Sequence, residues 1–150
     1  MVLCILSHWL ALFLLLGSAD AADAVDYVSV RDGTAILYDA PSVKAKKQFV
    51  VNRYMPFEQV VTLHSWVKVR DRSGKLYWVE KHVLSNERYV FALLPVVDVR
   101  AEPDTGAPLS FQIKQQVALA LIESTGTGWI KVRHRDGNVG YVRSTEVWGD

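Results

Sequence analysis

Hydrophobic and polar residues alternate along most of this chain. Phe111 and Ile113, then Val117, Leu119 and Leu121, recur at every second position, and Lys114-Gln115-Gln116 breaks the run as a turn. Trp129-Ile130-Lys131-Val132-Arg133 puts Ile130 and Val132 on one side and Trp129, Lys131 and Arg133 on the other. Trp66-Val67-Lys68-Val69-Arg70 does the same. A period of two, enriched in β-branched and aromatic residues, predicts short strands. A helix over Leu109 to Glu123 would need an apolar period of about 3.6 residues, which the spacing does not supply. An apolar side opposite a charged side predicts sheets packed on one face only. Ser73-Gly74 and Asp136-Gly137 supply the hairpin turns.

The pattern breaks at the beginning of the chain. Leu3 to Gly17 is nearly continuous apolar sequence, followed by the small residues of Gly17-Ser18-Ala19-Asp20-Ala21-Ala22-Asp23-Ala24. This predicts a secretory signal helix over residues 1–21, cut after Ala21, with a short linker over 22–26. The segment carries no Lys or Arg before its apolar centre, so the alternative is an uncleaved anchor. Its apolar run falls short of the roughly 20 residues a spanning helix needs. Cys4, the only cysteine, precedes the apolar centre, which is the wrong side for lipidation at the cut. The mature chain then has no thiol, which excludes disulfides, cysteine zinc sites and a cysteine nucleophile. A periplasmic or secreted location follows, with no membrane span after cleavage.

The chain also repeats itself. Tyr27-Val28 recurs as Tyr89-Val90, Phe49 as Phe111 and Val51 as Ile113, all 62 positions on. From Trp66 the offset is 63: Trp66 to Arg70 matches Trp129 to Arg133, Gly74 matches Gly137, Trp78-Val79 matches Tyr141-Val142 and Leu84 matches Val147. One residue inserted before the tryptophan, where His64-Ser65 becomes Thr125-Gly126-Thr127-Gly128, explains the shift. The sequence therefore predicts two modules, residues 27–86 and 87–150, joined near Ser85 to Arg88. About five short strands per module satisfy their edges best by curling into a small barrel. Leu93-Leu94-Pro95 is expected either inside the second barrel or at the seam between the two.

Charge narrows the function classes. The 150 residues hold 17 Lys and Arg against 16 Asp and Glu; without residues 1–21 the balance is 17 minus 15, about +2. That excludes a nucleic-acid binder relying on bulk charge.

The second module, with Val99-Arg100, Pro103, Gly128-Trp129-Ile130-Lys131-Val132-Arg133, Asp136-Gly137 and Gly140-Tyr141-Val142, resembles a bacterial SH3-like (SH3b) domain. The first resembles it through Leu37 to Pro41-Ser42, Trp66-Val67-Lys68-Val69 and Trp78-Val79. The resemblance implies an all-β fold of two tandem SH3-like barrels. It also implies a non-catalytic module of the bacterial cell envelope that binds peptidoglycan, its peptides or another envelope protein. The first module departs from the pattern at Tyr38, where Arg is expected, and at Tyr77, opposite Gly140 of the second. The glycine expected before the third strand is missing from both, near Arg53 and Gln115.

Binding chemistry points to the outer-face aromatics. A turn centred near residues 72 and 73 would set Trp66 opposite Trp78, and likewise Trp129 opposite Tyr141. Such pairs either stabilise the sheet or form a platform for a sugar or peptide, beside Lys68, Arg70, Lys131 and Arg133. Arg100 either grips a ligand carboxylate or pairs with Glu102, Asp104 or Asp136. Lys44-Ala45-Lys46-Lys47 is a basic loop, and Trp148 is a barrel-end plug or an exposed contact. The three mature histidines, His64, His82 and His134, lack metal-ligand spacing, and there is no nucleophile elbow or phosphate loop. No catalytic residue, metal or cofactor is expected. The leading reading is recognition of cell-wall material; the alternative is an interaction adaptor whose two barrels form one surface.

Overall fold

The computed structural model describes residues 25–31 and 33–150. The expected signal helix over 1–21, its cleavage site and residues 22–24 of the linker lie outside the described residues. The first module consists of β1 (Tyr27–Val30), β2 (Thr34–Tyr38), β3 (Lys47–Asn52), β4 (Pro56–Leu63), β5 (Trp66–Arg70), β6 (Leu76–Glu80) and β7 (Leu84–Ser85). The second consists of β8 (Tyr89–Ala92), β9 (Val96–Arg100), β10 (Leu109–Lys114), β11 (Ala118–Ser124), β12 (Trp129–Arg133), β13 (Val139–Arg143) and β14 (Val147–Trp148). Each module holds seven strands rather than about five. The last is a two-residue piece that follows a single 3-10 turn, Lys81–Val83 or Ser144–Glu146.

The two sheets have one topology. Their orders are β3-β2-β6-β5-β4-β1-β7 and β10-β9-β13-β12-β11-β8-β14, antiparallel throughout. Even the bonds outside the ladders repeat. Val30 N–H donates to the Met55 carbonyl and Ala92 N–H to that of Val117; Lys81 N–H donates to Ser65 and Ser144 N–H to Gly128. The last pair carries the 63-residue offset, while the first carries 62. The inserted residue therefore lies in the β11–β12 turn. There Gly126 and Gly128 adopt φ values of 71° and 83°, against a single left-handed His64 in the shorter first-module turn.

Burial follows the alternation. Val67, Val69 and Val79 point inward from β5 and β6, as do Ile130, Val132 and Val142 from β12 and β13. In the first module one cluster contains Leu37 of β2 together with Leu84 of β7. Those strands are five steps apart in the sheet, about 24 Å if it were flat at the usual strand spacing. The sheet must therefore roll around its core, which is how a small all-β unit hides most of its edges. The second module has the same arrangement, with Val97 of β9 and Val147 of β14 in one cluster.

The barrels meet along a seam. Ser29, the one fully buried polar residue among those described, donates its hydroxyl proton to the Glu87 carbonyl at 2.7 Å. Tyr27 packs edge-on against Trp148 with centroids 5.5 Å apart, and the Arg88 guanidinium lies over the Tyr27 ring. Arg88 also donates to the Gly149 carbonyl. Trp148 is thus a contact between barrels. Gly149 sits at φ 116°, and a Cβ there would come within 2.5 Å of the Tyr89 carbonyl oxygen and 3.0 Å of Pro56. Leu93-Leu94-Pro95 is not inside the second barrel: it belongs to neither core cluster, and Leu94 is 42% exposed. The Leu93 N–H instead donates to the Glu146 carbonyl, which keeps that segment on the barrel surface.

Candidate functional site

The outer-face residues lie where the alternation placed them, but their cross-strand partners differ from those expected. Arg70 pairs with Leu76 and Arg133 with Val139, so the turns centre on Ser73 and Asp136. Moving a hairpin's centre by one residue moves every partner by two. Trp66 therefore faces Glu80, and Trp78 faces Lys68; Trp129 faces Arg143, and Tyr141 faces Lys131. The turns themselves need glycine, since Gly74 and Gly137 stand at φ 86° and 95°. Asp71 shapes the first by accepting the N–H groups of Ser73 and Lys75.

This register creates the same pair twice. The Lys68 ammonium stands 5.7 Å from the Trp78 ring centroid, and the Lys131 ammonium 5.8 Å from that of Tyr141. All four side chains are half-buried. Among the described residues neither ammonium takes part in an ion pair, whereas Arg70 is bound by Glu58. The other two aromatics are used internally. Trp66 meets Tyr38 edge-on at 5.3 Å. Trp129 is only 8% exposed, covered by the Arg143 guanidinium 4.9 Å from its ring.

Arg100 has none of its three expected partners. It donates to Asp98 at 2.7 Å and to the Ala107 carbonyl at 3.1 Å. Asp98 lies two residues back on β9, hence on the same face, and also accepts from Gln112. Arg133 stands apart from the other outer-face cations. It reaches a cleft between the barrels whose volume is about 930 Å³. Arg53, Arg72, Arg135, Tyr54 and Tyr89 line that cleft as well, and no spacing in the sequence marked them as a group. Among the described residues no group of His, Cys, Asp and Glu is arranged to hold a metal.

Two ionisable groups are displaced from their ordinary ranges beside these features. The Tyr27 hydroxyl at the seam is held above the usual tyrosine range, first by burial and then by Glu58 and Asp150, with Arg88 pulling the other way. The Asp136 carboxyl is held low, first by the Asn138 N–H and then by His134, whose Nδ1 lies 3.0 Å away.

Among solved structures, the chain is similar to NlpC2 from Trichomonas vaginalis, with 10% identity over 85% of this chain and 49% of that one, at a TM-score of 0.39. It is similar to NlpC1 from the same organism, with 12% identity over 93% and 51% and a TM-score of 0.39. An NlpC/P60 family protein from Bacillus cereus shares 14% identity over 81% and 55%, with a TM-score of 0.38. The chain spans about half the length of the solved structures it matches. No curated protein matches it. The model of the bacterial SH3 domain family matches twice, over residues 30–86 and 95–149, one match on each barrel. By that double match, and by the fold repeated under it, the chain belongs to the bacterial SH3 domain family.

Proposed function

We propose that the chain is an exported, non-catalytic module that binds cell-wall material, either peptidoglycan or its stem peptides. The observation that carries this reading is the cation–aromatic pair Lys68/Trp78, repeated as Lys131/Tyr141 at the same place on both barrels. A half-buried ring offers flat apolar area to the C–H face of a sugar or to a peptide side chain. An ammonium free of ion pairing beside it is ready for a carboxylate. Two such sites on one chain add avidity on a polymer that repeats its own chemistry. The apolar segment from Leu3 to Gly17 supports a periplasmic or secreted location. No helix among the described residues is long and apolar enough to cross a membrane.

Co-sedimentation with purified sacculi tests the reading. The protein is expected to pellet, and the double variant Trp78→Ala/Tyr141→Ala, still folded, should lose about tenfold or more in apparent affinity. Equal pelleting of the two proteins would refute it. The seam favours a second reading, an envelope interaction adaptor, because the Tyr27–Trp148 contact and the Tyr54–Tyr89 stack hold the barrels against each other. Failure of the intact protein to pellet would favour that alternative.

A further inference from the structure

The cleft between the barrels is lined by arginines from both sides. Four guanidinium-bearing residues line it, Arg53 and Arg72 from the first barrel and Arg133 and Arg135 from the second, and no carboxylate does. None of the four takes part in an ion pair among the described residues. The carboxylates next to them in sequence are engaged in their own hairpins. Asp71 accepts from Ser73 and Lys75, and Asp136 accepts the Asn138 N–H and lies against His134. Like charges gathered in a concave site raise the local potential and draw in an anion.

The cleft also has a built wall. Tyr54 stands at φ 67°, a left-handed conformation that a side chain of its size rarely takes. That conformation accompanies a stack of its ring on Tyr89, with centroids 4.4 Å apart and planes 14° from parallel, and Arg53 lies over the same ring. The stack ties one wall of the cleft to the other. Gln116, the counterpart of Tyr54 in the repeat, is left-handed too and lines the same space.

We propose that this cleft binds an extended acidic peptide segment. Three features select that class. Guanidinium forks match carboxylates in bidentate geometry. Val50, Phe91 and Val117 line the space together with the arginines, and they call for apolar side chains that a bare phosphate polymer lacks. β3, whose Val50, Val51 and Asn52 line the cleft, is the terminal strand of its sheet and bonds to β2 alone, so a passing peptide backbone can add to its edge. The site is separate from the outer-face pairs and does not rest on the cell-wall reading.

Fluorescence anisotropy with the full chain and a short labelled peptide of alternating Glu and Leu tests it, with the Gln-Leu counterpart and inorganic polyphosphate as competitors. The acidic peptide is expected to bind saturably and to weaken as salt is raised. The Gln-Leu peptide should compete about tenfold or more weakly, and polyphosphate should compete less well than unlabelled Glu-Leu peptide at equal charge. Arg53→Gln/Arg135→Gln changes two exposed side chains outside both cores. This variant should keep its unfolding midpoint and lose about tenfold or more in peptide affinity, while Trp78→Ala keeps that affinity. The proposal is overturned if the intact protein does not bind the acidic peptide, if the arginine double variant binds it equally well, or if polyphosphate is the better competitor.

Discussion

Tyr77 and Gly140 occupy the same point of the repeated frame, and around them the two barrels solve one packing problem in different ways. In the first barrel the Tyr77 ring joins the core and meets Phe49 edge-on at 5.7 Å. In the second there is no side chain to place. A Cβ on Gly140 would stand 2.6 Å from Val99 and 2.7 Å from the Arg100 carbonyl oxygen, so β9 and β13 close directly on each other. Phe111, the counterpart of Phe49, turns instead to His134, the counterpart of Asp71. One aromatic lost at a single position is thus accompanied by a new contact for its neighbour. The ladders do not change: the strand registers are the same in both barrels, and the inward positions stay aliphatic, as in Val67 and Ile130 or Val69 and Val132. The difference is felt at the cleft, which His134 of the second barrel lines, while its counterpart Asp71 is committed to its own turn and does not line that space.

The largest effect should come from what the barrels share. Phe57 and Leu119 are counterparts, each fully buried. Phe57→Ala should cost about 3–5 kcal/mol and Leu119→Ala about 2–5 kcal/mol in denaturant unfolding. Because the seam couples the barrels, each variant should lower one common transition. Two resolved transitions, each sensitive to only one variant, would mean that the barrels unfold separately. A smaller effect should come from the point where they differ. Gly140→Ala forces a methyl against Val99 and the Arg100 carbonyl and should cost about 1–3 kcal/mol; an unchanged unfolding midpoint would show that β9 and β13 have room to part.

The smallest effect is one of pH at the seam. Tyr27 has a hydroxyl held above its ordinary range. Its contribution to stability is therefore complete below the unfolded value, near pH 10. It is lost as pH rises from there through the folded value, because the unfolded chain gives up the proton first. Midpoints measured from about pH 9 to pH 11 should fall more steeply for the intact protein than for Tyr27→Phe. Parallel curves would remove Tyr27 from the account.

The repeat, the inward valines and the glycine turns were all legible in the alternation, because each depends on neighbours close in sequence. What escaped depended on detail finer than periodicity. Period-two alternation puts Trp66 and Trp78 on the outer face whatever the loop does, but only the loop geometry decides who faces whom, and a turn centred on Ser73 hands Trp78 to Lys68. Arg100 found Asp98 two residues back because strand neighbours at that spacing share a face, a nearer partner than any loop acid. The cleft could not be seen at all. Arg53, Arg72 and Arg135 sit in turns of two different modules, and only the docking of the barrels assembles them.

The seam also has a direction. Tyr54 of the first half rests on Tyr89 of the second, yet in the duplicated sequence Tyr89 is the twin of Tyr27, and the twin of Tyr54 is Gln116. The halves are therefore not interchangeable. Swapping their order in a permuted gene would bring an amide to the place where a phenol ring now lies, and the joint would lose its stacked partners while both barrels kept their cores. The two copies thus hold unequal places, one leading and one trailing.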